Sequence, residues 1–183
     1  MHEELGKHMA FLRELNIGAR EHSKRGLLNH LLGTRRLLHE WGARPALCDA
    51  ALFHSVYGTE GYELATVPLS QRVRVQELIG NEAESLVWLF CFMNRQTLAG
   101  NIRRSEDFAV THRLTGEQLP LTNQQFGDLV NLTFANELEA YPRMSRSWRR
   151  GCRAYLQGFR QIAMSSARQA FDVLVPRWWK FWN

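Results

Sequence analysis

The sequence predicts a mostly α-helical bundle with a small inserted β-hairpin. Over most of the chain, apolar residues recur at spacings of three and four, which is the period of an amphipathic helix. Between residues 108 and 121 they alternate with polar residues instead, which is the period of a strand. We therefore expect helices throughout, interrupted once by a hairpin.

The composition favours one cytoplasmic domain spanning residues 1–183. Apolar residues make up 45% and charged residues 22%, which is typical of a soluble globular domain. The three cysteines all fall in apolar helical patterns, which predicts free thiols in a reducing compartment. The first residues lack a signal-peptide pattern. The most apolar run, residues 86–93, is far shorter than the roughly 20 residues that cross a bilayer.

The first half of the chain contains helices separated by glycine. Ser23 suits the N-cap of the second helix, and Pro45 suits the first turn of the third, where its missing N–H has no helical partner. Asn81 and Glu84 have the spacing of a capping box at the start of the fifth helix. The predicted helices are residues 3–16, 27–41, 46–57, 71–79 and 81–95.

The second half begins with the hairpin. Phe108, Val110, His112 and Leu114 are expected on one face, and Pro120 confines the second strand to an edge. A helix capped by residues 122–125 then runs to residue 140. A final long helix is predicted from residue 146 to residue 171, with an apolar stripe of Trp148, Cys152, Tyr155, Phe159 and Ile162.

Two histidines are the strongest candidates for chemistry. His54 lies in the third predicted helix, which is apolar nearly all round and should be buried. His30 lies on the inner face of the helix before it. Two imidazoles on adjacent helices can hold a divalent Fe, Mn or Zn ion when a carboxylate completes the shell. A buried histidine taken singly is as often a hydrogen-bonded core residue.

The pattern His-x(23)-His, with the second histidine ending an Ala-Leu-Phe-His run and Trp-Gly between the two helices, resembles the HD-domain superfamily. These are metal-dependent phosphohydrolases, and the small alarmone hydrolases are especially similar. The resemblance covers residues 22–138, with the hairpin as an insertion and residues 146–183 beyond it. It implies that His30 and His54 hold the metal, and that Ser55 and Asn136 stand where the family has aspartates.

These replacements remove two negative charges that would offset a divalent cation, so affinity for hard cations should fall. The acidic pair of the alarmone hydrolases aligns with Gly58 and Thr59 and is also missing. Glu60 is the nearest carboxylate, and it could act as a metal ligand or general base. A salt-bridged or solvated Glu60 is the equal alternative.

Four further residues are candidates for ligand contact. His22 could add a third nitrogen from the preceding loop or lie exposed to solvent, whereas His39 and His112 are assigned to structure or surface. Ser55 and Glu60 are the candidate catalytic residues, and Asn136 and Ser55 are expected to orient ligand or water through hydrogen bonds. The ligand-contact candidates are Asn136, His22, Tyr57 and Thr59.

The sequence therefore predicts a divergent HD-domain-like enzyme acting on a small molecule, phosphorylated or otherwise anionic, with metal-assisted chemistry. The alternative is a non-catalytic ligand-binding or interaction module that keeps the fold without the metal. Nucleic acid is not an expected partner, because the arginines of residues 146–153 are the usual solvated face of a helix. The aromatic tail, residues 176–183, is expected to pack on the domain or across a homodimer seam.

Overall fold

The computed structural model describes residues 2–15 and 24–175. It confirms the mostly α-helical fold with a small hairpin. The helices are α1 His2–Glu14, α2 Lys24–Glu40, α3 Pro45–Phe53, α4 Arg72–Ile79, α5 Asn81–Phe92, α6 Arg95–Ala99, α7 Asn123–Ala140, α8 Arg146–Phe159 and α9 Ser165–Leu174. The strands are β1 Ala109–Thr111 and β2 Gln118–Pro120.

Helix α3 lies at the centre of the core, as its apolar sequence predicts. It packs against α2 on one side and α5 on another, and α7 contacts both α2 and α3. Most of its side chains are buried, including Leu47, Leu52 and Phe53. Because α2, α3 and α7 pack directly on one another, polar residues on their facing sides are brought together inside the domain.

Helix α3 ends at Phe53, so the prediction that it runs to residue 57 is wrong. The ring Nδ1 of His54 donates to the carbonyl oxygen of Ala51 at 2.6 Å, and this carbonyl would accept from residue 55 in a continuing helix. Gly58 ends the following turn with a φ of +78°. A Cβ there would lie 2.6 Å from the carbonyl oxygen of Glu63, so only glycine fits where the loop returns.

Several predicted helix ends are confirmed. Pro45 occupies the first turn of α3. Gly42 has a φ of +78° after α2, and a Schellman motif closes that helix, with Gly42 N donating to His39 O at 3.0 Å and Ala43 N to Leu38 O at 2.9 Å. Thr122 and Gln125 form the capping box predicted for α7.

The predicted capping box at Asn81 is wrong. The N-cap of α5 is Gly80, and no side-chain hydrogen bond caps the helix there. Glu84 instead turns into the core, where it is 0% exposed and accepts hydrogen bonds from Arg72 and Tyr57. The two charge-assisted hydrogen bonds from the Arg72 guanidinium are worth more to this carboxylate than one bond from an exposed backbone N–H.

The hairpin forms as predicted. Strands β1 and β2 are antiparallel, with Val110 opposite Leu119. The ring of His112 stacks on Phe92 with centroids 5.2 Å apart, which confirms its structural assignment. The predicted alternation is wrong at Leu114, which is 67% exposed and lies beyond the end of β1, because the chain turns directly after His112.

The predicted long C-terminal helix is two helices, α8 and α9. The chain turns between residues 160 and 164, where Met164 N donates to Asn131 Oδ1 of α7 at 2.8 Å. This bond redirects α9 onto α7, where Phe171 contacts Phe134. On α8, Cys152 and Phe159 are buried as predicted, but Trp148 is 74% exposed, so the predicted stripe is wrong at its first residue.

The cysteines are free and buried, as predicted. Burial raises the pKa of Cys48, and it raises the pKa of Cys91 and of Cys152 to about 12. Such thiols stay protonated at neutral pH and are poor nucleophiles.

None of the helices described is long and apolar enough to span a bilayer. The predicted N-cap Ser23 and the aromatic tail, residues 176–183, lie outside the described residues. The expectation of a homodimer stays a prediction.

Candidate functional site

Helices α2 and α7 and the end of α3 bring His30, His54 and Asn136 together. The two imidazole rings meet edge to face with centroids 5.2 Å apart. His30 Nε2 lies 3.0 Å from Asn136 Oδ1. Three residues chosen from distant parts of the sequence therefore form one polar cluster.

His54 is held as a neutral imidazole. Its side chain is 2% exposed and its ring packs edge to face on Phe90. Burial, followed by the charge on a protonated His30, lowers the pKa of His54 to about 3. Because its Nδ1 donates to Ala51 O, the lone pair of the neutral ring is on Nε2.

Glu139 completes the surroundings of His30, and sequence reasoning missed it. Its carboxylate pairs with His30 Nδ1 and with Arg143. Burial raises the pKa of Glu139, but the hydrogen bonds from His30 and Arg143 outweigh it and the pKa is lowered. The carboxylate is therefore ionised at neutral pH and fixes the orientation of the His30 ring.

The sequence does contain a signal for this contact. Asn136 and Glu139 are three residues apart on α7 and so share a face, as do His30 and Gly33 on α2. A Cβ on Gly33 would lie 2.7 Å from Glu139 Cγ. Glycine at this position therefore leaves the space that the Glu139 side chain occupies.

A second charged pair, Arg95 and Glu137, contacts Asn136. Asn136 Nδ2 and Arg95 Nη1 both donate to Glu137 Oε1 at 3.0 Å. The Arg95 guanidinium lies over the Phe90 ring, 5.1 Å from its centroid. Sequence reasoning placed Arg95 at the end of a long helix and so missed it, whereas it begins the separate short helix α6.

The two predicted catalytic residues, Ser55 and Glu60, differ in burial and in their contacts. Ser55 directly follows His54 and is buried. Glu60 is exposed, and its Oε2 accepts from Arg95 N at 3.3 Å. Glu60 is therefore hydrogen-bonded to the backbone of Arg95, whose side chain pairs with Glu137, and the Glu60 carboxylate is accessible to solvent.

The other predicted ligand contacts have structural partners. Tyr57 is buried, and its hydroxyl donates to Glu84 Oε1 at 3.0 Å. Thr59 is also buried, and its hydroxyl accepts from Tyr62 N at 3.1 Å. His22 lies outside the described residues. Ligand contact by these three residues stays a prediction.

Two imidazoles and one amide are the side chains of this cluster that could hold a metal ion. Within residues 2–15 and 24–175, no three or more histidine, cysteine, aspartate or glutamate side chains form a group that could hold a metal ion. His30 and His54, however, each have Nδ1 bound to an oxygen, the arrangement that orients metal-ligating histidines. With the Asn136 amide oxygen they offer two nitrogens and one oxygen, which suits Zn or Fe better than a hard cation.

Comparison with known families gives one partial match. Residues 11–95 match the sequence model of a domain of unknown function, DUF6817. Neither the curated proteins nor the solved structures provide a match. The matched stretch contains His30, His54 and Glu60 and ends before α7, which supplies Asn136 and Glu139.

Proposed function

We propose that the chain is a divergent HD-domain-like enzyme that acts on a small anionic molecule at the cluster of His30, His54 and Asn136. The proposal depends chiefly on one observation: both histidines have Nδ1 engaged by an oxygen, while their rings lie 5.2 Å apart and Asn136 contacts His30 Nε2. This arrangement fixes the orientations of two neighbouring imidazoles.

His30, His54 and Asn136 would hold a divalent metal ion, which supplies Lewis-acid charge and lowers the pKa of a bound water. The protein keeps the rings in place: Glu139 accepts the Nδ1 proton of His30, and Ala51 O accepts that of His54. The low pKa of His54 keeps this ring neutral and able to act as a ligand at any physiological pH.

The charge balance supports an anionic substrate. Each carboxylate that contacts the cluster is paired with an arginine, Glu139 with Arg143 and Glu137 with Arg95. Ser55 and Asn136 add no charge, so a bound cation would leave the site positive and attract an anion. We assign the movement of a proton to the exposed Glu60 and hydrogen bonding of the substrate to Ser55.

Metal content tests the proposal directly. Protein purified without chelator is expected to carry close to one Zn or Fe per chain by elemental analysis, and His54→Ala should lose it. His39→Ala is the matched control, since His39 is exposed on the same helix as His30. A stoichiometry well below one in the wild-type protein, unchanged by His54→Ala, would contradict the metal site.

Turnover tests the catalytic assignment. Wild-type protein with added Zn²⁺ or Fe²⁺ is expected to release phosphate from 1-naphthyl phosphate, and Glu60→Gln should abolish this without changing the melting temperature. Glu63→Gln in the same loop is the control, because Glu63 is also exposed. A large loss of stability in Glu60→Gln with activity intact would assign Glu60 to structure instead.

A second candidate function is a metal-free ligand-binding module. It is favoured by the hydrogen bonding of His30, since Glu139 and Asn136 already occupy both ring nitrogens. A polar network satisfied in this way is stable without a cation. Added Zn²⁺ separates the two candidates: a metal site raises the melting temperature of the wild-type protein but not of His54→Ala, whereas a metal-free module shows no such difference.

A further inference from the structure

A groove of about 420 Å³ lies beside the charged pair of Arg95 and Glu137. Its volume falls in the range of small-molecule sites, and such sites are mostly apolar with a few polar groups. Helices α6, α7 and α8 supply its walls. It is lined by Arg95, Gln96, Glu137, Ser147, Trp148, Gly151, Cys152 and Tyr155.

Two aromatic rings on α8 stand at either end of this groove. Trp148 and Tyr155 are seven residues apart, so they lie on one helix face roughly 10.5 Å apart along the axis. Between them are Gly151, which has no side chain, and Cys152, whose side chain is small, so the space is left open. The two large aromatic residues with two small residues between them leave a recess on the helix face, which we call the slot, that could accept a flat ring.

The two ends of the slot differ in rigidity. The hydroxyl of Tyr155 donates to Arg95 O at 2.9 Å, and its ring packs edge to face on Phe159. Trp148 is 74% exposed, although a tryptophan in contact with water forgoes a large apolar burial. The fixed tyrosine closes one end of the groove, and the exposed tryptophan at the other end is free to stack on a ligand.

The groove is joined to the histidine cluster by the residues at its polar end. Glu137 accepts hydrogen bonds from Arg95 and from Asn136, and Asn136 contacts His30. The Nε atom of Arg95 is buried and has no hydrogen-bond partner. The polar end of the groove is therefore connected to His30 through the hydrogen bonds of Glu137 and Asn136.

We propose that this groove is the subsite for a planar aromatic ring of the substrate, with Trp148 stacking on the ring and Arg95 and Glu137 facing its polar edge. The inference rests on the proposed function, because it assigns the other end of the same molecule to the histidine cluster. It narrows the substrate class to aromatic compounds that carry an anionic group.

Equilibrium binding of 1-naphthyl phosphate to the full chain tests the groove. Titration calorimetry with EDTA-treated protein should give saturable binding, and Trp148→Ala should weaken it about tenfold because ring stacking is lost. Leu114→Ala is the matched control, an exposed apolar residue of the hairpin whose loss should change nothing. Methyl phosphate, which has no ring, should bind wild type and Trp148→Ala equally.

The outcomes separate the groove from the proposed function. Tryptophan-dependent binding of the naphthyl probe supports the groove, and if protein purified without chelator also carries no metal by elemental analysis, the metal enzyme is contradicted while the groove stands. Equal probe affinity in wild type and Trp148→Ala overturns the groove even if metal is bound. A dimer that Trp148→Ala converts to a monomer by light scattering, with probe affinity unchanged, also overturns it, since Trp148 then lies in an interface.

Discussion

The Nδ1 atom of His30 on α2 is hydrogen-bonded to the carboxylate of Glu139 on α7, across 109 positions of sequence. Arg143, one turn further along the chain, pairs with the same carboxylate and keeps it ionised. The orientation of the His30 ring is therefore set by the packing of two helices. Substitutions at the α2–α7 contact should therefore alter the orientation of the His30 ring even when the residues of the candidate site are unchanged.

Gly33→Ala should destabilise the protein by displacing Glu139. The new Cβ would lie 2.7 Å from Glu139 Cγ, so one of the two helices or the glutamate must shift. Overpacking of this kind costs about 1–3 kcal/mol. Gly26→Ala on the same helix is the control, because nothing lies within 4 Å of its Cβ and both variants gain helix propensity. Urea denaturation that gives the two variants equal stability would contradict the contact.

Local patterns in the sequence predict much of this fold. The capping box at Thr122, the proline that starts α3 and the glycine after α2 are each read correctly because the interactions lie within a few residues. Glu84 is read wrongly, since its burial depends on Arg72 and Tyr57. The same limit applies to the C-terminal helix, whose break depends on Asn131 of α7.

Only some residues of the candidate site could likewise be predicted from the sequence. His30 and His54 could be chosen from sequence, because a histidine inside an apolar helical pattern stands out. Glu139 could not, since a glutamate near the end of a helix is ordinarily a solvated residue. Its role becomes visible only when α7 is placed beside Gly33, and Arg95 is likewise recognisable only once Glu137 lies against it.

Acid should destabilise the wild-type protein partly through His54. The folded pKa of His54 is about 3, against 6.5 for an unperturbed histidine, so between these values the unfolded chain binds a proton that the folded chain does not. Stability from this residue is complete above pH 6.5 and is lost as the pH falls. Between pH 6.5 and 5 the loss is about 2 kcal/mol.

His54→Gln removes this titration. Urea denaturation in the presence of EDTA should therefore show a smaller fall in unfolding free energy from pH 7 to pH 5 for His54→Gln than for wild type. The decrease in unfolding free energy from pH 7 to pH 5 is compared between the two proteins, because every other titrating group is common to both. Equal falls would mean that His54 is not buried as a neutral ring.

Tyr57→Phe should lower stability without weakening ligand binding. The hydroxyl that is lost donates to the buried Glu84, which keeps its two hydrogen bonds to Arg72. Loss of one such bond costs about 1 kcal/mol. Tyr62→Phe is the control, a partly buried tyrosine of the neighbouring loop. Weaker binding of 1-naphthyl phosphate by Tyr57→Phe alone would instead assign the hydroxyl to ligand contact.

Glu139→Gln should weaken metal binding while the protein stays folded. The substitution keeps the shape of the side chain but removes the charge that holds the Nδ1 proton of His30, and loss of such a partner lowers metal affinity about 10–100-fold. Competition of Zn²⁺ between the protein and a chromophoric chelator measures the change. Glu40→Gln is the matched control, since Glu40 is an exposed carboxylate at the end of α2. Equal Zn²⁺ affinity in the two variants would show that Glu139 has no part in positioning His30 for a metal.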